Sequence, residues 1–151
     1  MQYRPLGRGP LTVSEISFGT WLTVGAHTER ATAVASIHAA LDLGITLFDT
    51  ANMYAAGEAE RVLGAALRSS GRSRDQYLIA TKVFNPVPPE PDKGLSAAQI
   101  AKQLDRSLER LGTDVCMSRS QMSKVFPYLG LCFCYCRCGC VLLSTGVVFA
   151  L

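Results

Sequence analysis

Short apolar runs alternate with longer segments of mixed polarity between residues 16 and 112, and this alternation restricts the fold more than any other feature of the chain. The apolar runs cover residues 16–19, 45–49 and 77–83, and the second and third are rich in β-branched and aromatic side chains. Such runs are typical of strands that are buried on both faces of a sheet. Because strands that alternate with helices form parallel sheets, the pattern predicts an α/β architecture.

Three helices are predicted, one after each apolar run. Residues 29–43 and 58–68 carry apolar side chains at helical spacing, and a glycine lies just beyond the end of each stretch. The third helix is predicted to begin after Ser96, which has a glutamine three residues later in the capping-box pattern, and to end at Gly112. Residues 85–94 contain four prolines and are predicted to form the loop that precedes this helix.

Polar side chains stand at the predicted carboxyl ends of the three strands, at Thr20, Asp49 and Lys82. Enzymes built on a (β/α)8 barrel, the TIM barrel, carry their chemistry on that rim. An open sheet with a dinucleotide site would instead have a G-x-G-x-x-G run after a strand, and none of these strands is followed by one. The pattern therefore favours a (β/α)8 barrel over an open, doubly wound sheet.

The composition changes near residue 115. All 12 acidic residues and 12 of the 15 basic residues precede this point, whereas all six cysteines follow it. We therefore divide the chain into a body, residues 1–115, and a tail, residues 116–151. The body has no basic stripe, which argues against a nucleic-acid partner, and the first ten residues lack the apolar run of a signal peptide. A cysteine-free body fits a reducing cytosol, so a cytoplasmic location is expected.

Asp49, Tyr54 and Lys82 form the candidate catalytic group. Neighbouring parallel strands lie about 4.8 Å apart, so the two charged side chains can meet on one rim, with Tyr54 in the loop that follows Asp49. A lysine ammonium beside a phenol stabilises the phenolate and makes the phenol a better acid, and a carboxylate behind the lysine keeps it charged. Such a phenol can protonate the oxygen of a carbonyl group that receives a hydride. An ordinary Asp–Lys ion pair, with Tyr54 packed in its loop, fits the same spacing.

Four ordered sequence blocks resemble the aldo-keto reductase family. Within that family the similarity is greatest to the branch of the potassium-channel β subunits and their bacterial relatives. The blocks are YRPLG with VSEISFGTW in residues 3–21, LGITLFDTA followed by a tyrosine and GEAE in residues 43–60, IATKV in residues 79–83, and SLERLGTD in residues 107–114.

The resemblance implies a (β/α)8 barrel that binds NADPH without a Rossmann domain and reduces aldehydes or ketones. Tyr54 matches the proton donor of the family, Lys82 the lysine that tunes it, and Asp49 the aspartate that pairs with this lysine. Thr20 and Trp21 match residues beside the nicotinamide, where the resemblance places Asp49 as well. Trp21 fits equally well as a core aromatic residue. No metal site is implied.

The resemblance ends near residue 115. The family continues with a strand and a catalytic histidine, whereas this chain reads VCMSRS from residue 115 and has no histidine after His38. A (β/α)8 barrel needs roughly 250 residues, so the chain is expected to be a truncated reductase with about three βα units and without the family's clamp for the adenosine phosphate. The alternatives are a non-catalytic product or a binding protein like the channel β subunits. His38 is expected to be structural, and His27 to be a surface residue or a polar contact to the cofactor.

The tail is expected to be unrelated to the family, because the charge, the cysteine content and the resemblance all change at one point. Within the tail, residues 125–151 are nearly all apolar or cysteine. Two alternatives stay open. The stretch is long enough for a membrane anchor, although Arg137 near its centre would cost roughly 2.5–3.5 kcal/mol. It could also bind Zn²⁺ or Cu(I), because a strand would place its five alternating cysteines on one face, although their spacing is not that of usual zinc ligands.

Overall fold

The computed structural model of the chain describes residues 1–6, 10–120, 131–136 and 141–145. The described strands form a small antiparallel pair and a six-stranded sheet with the order β3-β4-β5-β6-β7-β8. The strands are β1 (Tyr3–Pro5), β2 (Thr12–Ser14), β3 (Phe18–Gly19), β4 (Leu47–Asp49), β5 (Leu78–Val83), β6 (Val115–Ser120), β7 (Leu131–Cys136) and β8 (Val141–Thr145). The α-helices are α1 (Arg30–Asp42), α2 (Glu58–Ser69) and α3 (Ala97–Leu111).

Strands β3 to β6 run parallel to one another, and α1, α2 and α3 each connect one of them to the next. The predicted parallel α/β class is therefore confirmed. The first two helices agree with the prediction to within one residue at each end. The third begins after Ser96, whose hydroxyl accepts a hydrogen bond from the backbone of Gln99, and it ends at Gly112 in the left-handed conformation. Local capping chemistry thus sets the bounds of α3.

The two faces of the sheet have different partners. Every second residue of β5 is buried, beginning with Ile79, and this face packs against the helices in the main hydrophobic core. On the other face, Leu78 packs with Leu6 and Val13, which belong to the segment of the antiparallel β1–β2 pair. Because side chains alternate along a strand, Lys82 lies on the same face as Leu78, nearer to the carboxyl end of β5.

A fourth parallel strand, β6, occupies the place where the sequence predicted the body to end after three strands. Cys116 explains the difference, because its side chain is 1% exposed and joins the core beneath the helices. The composition changes at this residue, but the pairing with β5 does not stop there. Residues 118–120 of β6 lie in register with residues 81–83 of β5, so the carboxyl rim is one strand wider than predicted.

The tail adds two antiparallel strands, β7 and β8, to this sheet. Cys132, Cys134 and Cys136 lie in β7, whereas Cys138 and Cys140 lie outside the described residues, so the five-thiol face stays a prediction. In the ranges that the structure describes, no helix is long and apolar enough to cross a membrane. The same ranges contain no group of three His, Cys, Asp or Glu residues that could hold a metal ion.

Candidate active site

Asp49 and Lys82 come from adjacent parallel strands. Asp49 is the last residue of β4 and pairs in register with Ala80 of β5, so Lys82 stands two residues further toward the same rim. Beyond β4 the chain still follows β5, because the Thr50 amide donates to the Ala80 carbonyl at 2.8 Å and the Asn52 amide donates to the Lys82 carbonyl at 3.0 Å. These hydrogen bonds hold the segment after Asp49 against the carboxyl end of β5.

The ammonium group of Lys82 joins the three predicted catalytic residues. Its nitrogen lies 2.6 Å from Asp49 Oδ2, 2.8 Å from the Thr50 carbonyl oxygen and 3.4 Å from the Tyr54 phenol oxygen. An ammonium has three protons to donate, and each has one acceptor here. The Lys82 side chain is 14% exposed and the Asp49 side chain 40% exposed, so the ion pair opens to solvent on the carboxylate side. The structure brings these residues together as the sequence predicted, and their catalytic role stays a prediction.

Tyr54 begins a single 3-10 turn, Tyr54–Gly57, that leads from β4 into α2. The Lys82 nitrogen lies 5.1 Å from the centre of the Tyr54 ring, so the ammonium contacts the ring as well as the hydroxyl. The Tyr54 ring also contacts the Trp21 ring, with ring centres 6.3 Å apart and planes inclined by 25°. Trp21 is 66% exposed, so the alternative reading as a core aromatic is wrong.

Thr20 lies behind this group and is fully buried. Its hydroxyl lies 2.9 Å from Thr50 Oγ1 and 3.2 Å from the Asp49 carbonyl oxygen, and its amide donates to the same carbonyl at 3.1 Å. These contacts tie the end of β3 to the end of β4. The predicted contact between Thr20 and the cofactor stays a prediction, and the hydroxyl is engaged within the protein.

The two histidines lie apart from this chemistry. His38 on α1 has its Nε2 atom 2.9 Å from the Ala66 carbonyl oxygen of α2, so it links two helices as expected of a structural residue. His27 is exposed, in keeping with the reading as a surface residue.

A buried ion pair behind the rim was not predicted from the sequence. Glu60 of α2 is fully buried, and its two carboxylate oxygens accept hydrogen bonds from Thr81 Oγ1 and Arg110 Nε, each at 2.6 Å. One signal in the sequence points to it. Glu60 precedes Leu63 and Leu67 by three and seven residues, which places the carboxylate on the apolar face of α2, where a buried charge needs a partner.

The proline-rich loop, residues 85–94, is fixed beside the rim by polar contacts. Asn52 Nδ2 donates to the Asn85 carbonyl and to Gln103 Oε1, both at 2.9 Å. Near the other end of the loop, Asp92 accepts a hydrogen bond from the Lys102 ammonium at 3.0 Å. This hydrogen bond holds the pKa of Asp92 below the ordinary value of a carboxyl group. The loop is therefore anchored at one end to the segment that follows β4 and at the other end to α3.

The structure has parallel strands joined by helices, and it has a tyrosine, a lysine and an aspartate on the carboxyl rim. These are the features that the resemblance to aldo-keto reductases predicted. The model of the aldo/keto reductase family matches residues 15–118. The chain therefore belongs to the aldo/keto reductase family. The match extends into β6 and so supports the fourth strand as part of the family fold.

Curated relatives agree with the branch that the sequence suggested. A probable voltage-gated potassium channel subunit beta from Oryza sativa subsp. japonica is 41% identical over 114 residues, and its counterpart from Arabidopsis thaliana is 40% identical over the same length. Each alignment covers 76% of this chain and 35% of the relative. The chain thus spans about a third of the length of the curated relatives it matches.

Solved structures with the same fold include two bacterial reductases. An aldo-keto reductase from Klebsiella pneumoniae in complex with NADPH is 34% identical, with a TM-score of 0.58, over 70% of this chain and 34% of the other. The holo form of the aldo-keto reductase AKR11C1 from Bacillus halodurans is 35% identical, with a TM-score of 0.66, over 77% of this chain and 38% of the other. The chain therefore has the fold of part of a (β/α)8 reductase barrel.

Proposed function

We propose that this chain carries the catalytic rim of an NADPH-dependent aldo-keto reductase that reduces aldehydes or ketones to alcohols. The observation that carries the proposal is the position of the Lys82 ammonium, 2.6 Å from Asp49 and 3.4 Å from the Tyr54 hydroxyl. Membership of the family and the similarity to a reductase solved with NADPH support it. A cytoplasmic location, expected from the cysteine-free body, is part of the same proposal.

In the proposed reaction, Tyr54 donates its phenolic proton to the carbonyl oxygen of the substrate. NADPH, when bound, supplies the hydride that adds to the carbonyl carbon. The Lys82 ammonium stabilises the negative charge left on the Tyr54 oxygen, because an opposite charge within hydrogen-bonding reach favours the ionised form. Asp49 and the Thr50 carbonyl hold the ammonium in place, so it stays directed at the phenol.

The exposed side chains on this rim fit a nicotinamide nucleoside. The Trp21 ring is 66% exposed and offers an aromatic edge and face to a flat ring, and the Asp49 side chain is 40% exposed and can accept hydrogen bonds from ribose hydroxyls. Thr20 contributes to this site by fixing the strand ends from which both residues project. We therefore place the nicotinamide end of NADPH against Trp21 and Asp49.

The experiment measures NADPH binding by fluorescence and aldehyde reduction by the loss of NADPH absorbance, with the purified 151-residue chain. Tyr54→Phe is expected to leave binding within about twofold of wild type and to lower turnover by roughly 10²–10⁴-fold, the usual contribution of a general acid. Tyr77→Phe is the matched control, because Tyr77 is buried against Phe48 within the core. Wild-type turnover by Tyr54→Phe would contradict the proposed proton donor.

A second candidate function is a non-catalytic binding protein like the channel β subunits. It is favoured by the two plant relatives, both of which are described as probable channel β subunits. Measurable NADPH binding without reduction of any aldehyde or ketone, in wild type and Tyr54→Phe alike, would favour this candidate over the reductase.

A further inference from the structure

The buried ion pair between α2 and α3 has no part in the proposed proton transfer. Glu60 is fully buried, and its partner Arg110 has a side chain that is only 11% exposed. Arg110 also donates from Nη2 to the Ser107 hydroxyl at 3.1 Å, so the guanidinium is held from two sides. Removing two charges from water is costly, and a buried pair of this kind therefore calls for a specific explanation.

The carboxylate of the pair is hydrogen-bonded to the strand that carries the lysine. Thr81 donates to Glu60 at 2.6 Å and directly precedes Lys82 in β5. Because neighbouring side chains on a strand point to opposite faces, a hydrogen bond that fixes Thr81 on the helix side also fixes the direction of Lys82 on the rim side.

The arginine of the pair packs against the turn that carries the tyrosine. A Cβ atom placed on Gly57, the last residue of the Tyr54–Gly57 turn, would lie 2.8 Å from Arg110 Cδ and 3.1 Å from Arg110 Nε. Arg110 therefore packs directly against the backbone of this turn. Its guanidinium cannot move away without breaking the ion pair with Glu60.

The turn needs such support because its backbone is strained. Ala55 (φ 49°, ψ 41°) and Ala56 (φ 52°, ψ 38°) are both left-handed, and Gly57 follows with φ 87°. Alanine rarely adopts this region, because its Cβ approaches the neighbouring carbonyl oxygen. Such a conformation persists only where the surrounding structure holds it.

We infer that Glu60 and Arg110 form a positioning pair, which fixes from behind the distance between the Tyr54 hydroxyl and the Lys82 ammonium. The inference rests on the proposed function for its catalytic meaning, but the positioning itself does not depend on any ligand. Glu60 holds β5 through Thr81 and holds the Tyr54 turn through Arg110, so a single carboxylate sets both halves of the contact.

Trp21 makes the position of Tyr54 measurable without cofactor or substrate. It is the only tryptophan in the chain, and one of its faces stacks on the Tyr54 ring. Acrylamide quenching of Trp21 fluorescence therefore reports whether Tyr54 covers that face. Tyr54→Ala gives the value for the uncovered ring.

The main test is the double variant Glu60→Leu/Arg110→Met, which removes both buried charges together and so leaves neither one unpaired. We expect the folded variant to show a quenching constant raised toward the value of Tyr54→Ala, by up to about 1.5-fold, because Trp21 is already 66% exposed and loses only the cover that the Tyr54 ring provides. Arg106→Met is the matched control, one turn earlier on α3 and directed at Asp92, and it is expected to keep the wild-type value.

A folded double variant with the wild-type quenching constant would overturn the inference and leave the pair as a link between two helices. If the double variant does not fold, Arg110→Lys decides, because it keeps a cation beside Glu60 but loses the planar guanidinium. A quenching constant between those of wild type and Tyr54→Ala supports the inference, and the wild-type value overturns it.

Where reduction is measurable, we expect the double variant to lower kcat with little change in the KM for NADPH. A chain that proves inactive leaves the fluorescence result unaffected, so the two proposals fail separately.

Discussion

Replacing Gly64 with alanine tests the close approach of α2 and α3 on which the ion pair between Glu60 and Arg110 depends. Gly64 lies one turn after Glu60 on the buried side of α2. A Cβ atom at this position would overlap the carbonyl group of Leu111 at the end of α3. Because the overlapped atoms belong to the backbone, no side-chain rotation relieves the contact, and the two helices must move apart.

The expected loss of stability is the difference between two effects. Overpacking a tight contact costs about 1–3 kcal/mol, and overlap with backbone places Gly64→Ala at the upper end of that range, about 3 kcal/mol. The higher helix propensity of alanine relative to glycine offsets about 1 kcal/mol of this loss. The net loss is about 2 kcal/mol, which corresponds to a fall in Tm of roughly 4–8 °C for a chain of this size.

Urea denaturation followed by far-ultraviolet circular dichroism measures this loss. Gly71→Ala is the comparison, since a Cβ there meets nothing within 4 Å and only the left-handed backbone, with φ 74°, opposes it. We expect that variant to lose about 1 kcal/mol. A Gly64→Ala chain as stable as wild type would refute the close approach of α2 and α3 and the geometry built on it.

Three further outcomes are expected. Gly112→Ala lowers the free energy of unfolding by about 1–3 kcal/mol in urea denaturation, because its φ of 64° at the end of α3 suits glycine and because the added Cβ displaces the Arg68 guanidinium from the Leu111 carbonyl. Thr20→Val lowers it by about 1–3 kcal/mol, because the Thr50 hydroxyl is left buried without this partner. The hydrogen bond from Lys102 lowers the pKa of Asp92, so the contact between the loop and α3 is complete above the ordinary carboxyl pKa and is lost as the pH falls through the lowered value. Lys102→Met should therefore raise the titration midpoint of the Asp92 carboxyl signal in carbon NMR, and an unchanged midpoint would contradict this assignment.

The sequence predicted the elements whose signals are local. The bounds of α3 follow from its Ser96 cap and its Gly112 stop, and β4 and β5 follow from continuous apolar runs. The β1–β2 pair was missed, because strands of three residues carry almost no periodic signal. Strand β6 was missed for another reason. Cys116 packs in the apolar core, but the composition changes at that residue, and this change predicted the end of the body there.

The candidate site was predictable where strand geometry alone determines proximity. Asp49 and Lys82 end adjacent parallel strands, so their contact follows from the sheet. The position of Tyr54 depends instead on left-handed alanines in the turn after it, a conformation that local preference disfavours. The pairing of Glu60 with Arg110 joins residues 50 positions apart, and no local pattern gives their distance.

The ammonium signal of Lys82 in nitrogen NMR tests whether this group contacts both the Tyr54 phenol and the Asp49 carboxylate. We expect a protected ammonium whose signal shifts in Tyr54→Phe and in Asp49→Asn, because both partners contact its nitrogen, and stays in place in Tyr77→Phe. A Lys82 signal that matches the signal of the exposed Lys93 and does not shift in Tyr54→Phe would show that the phenol and the ammonium are not in contact.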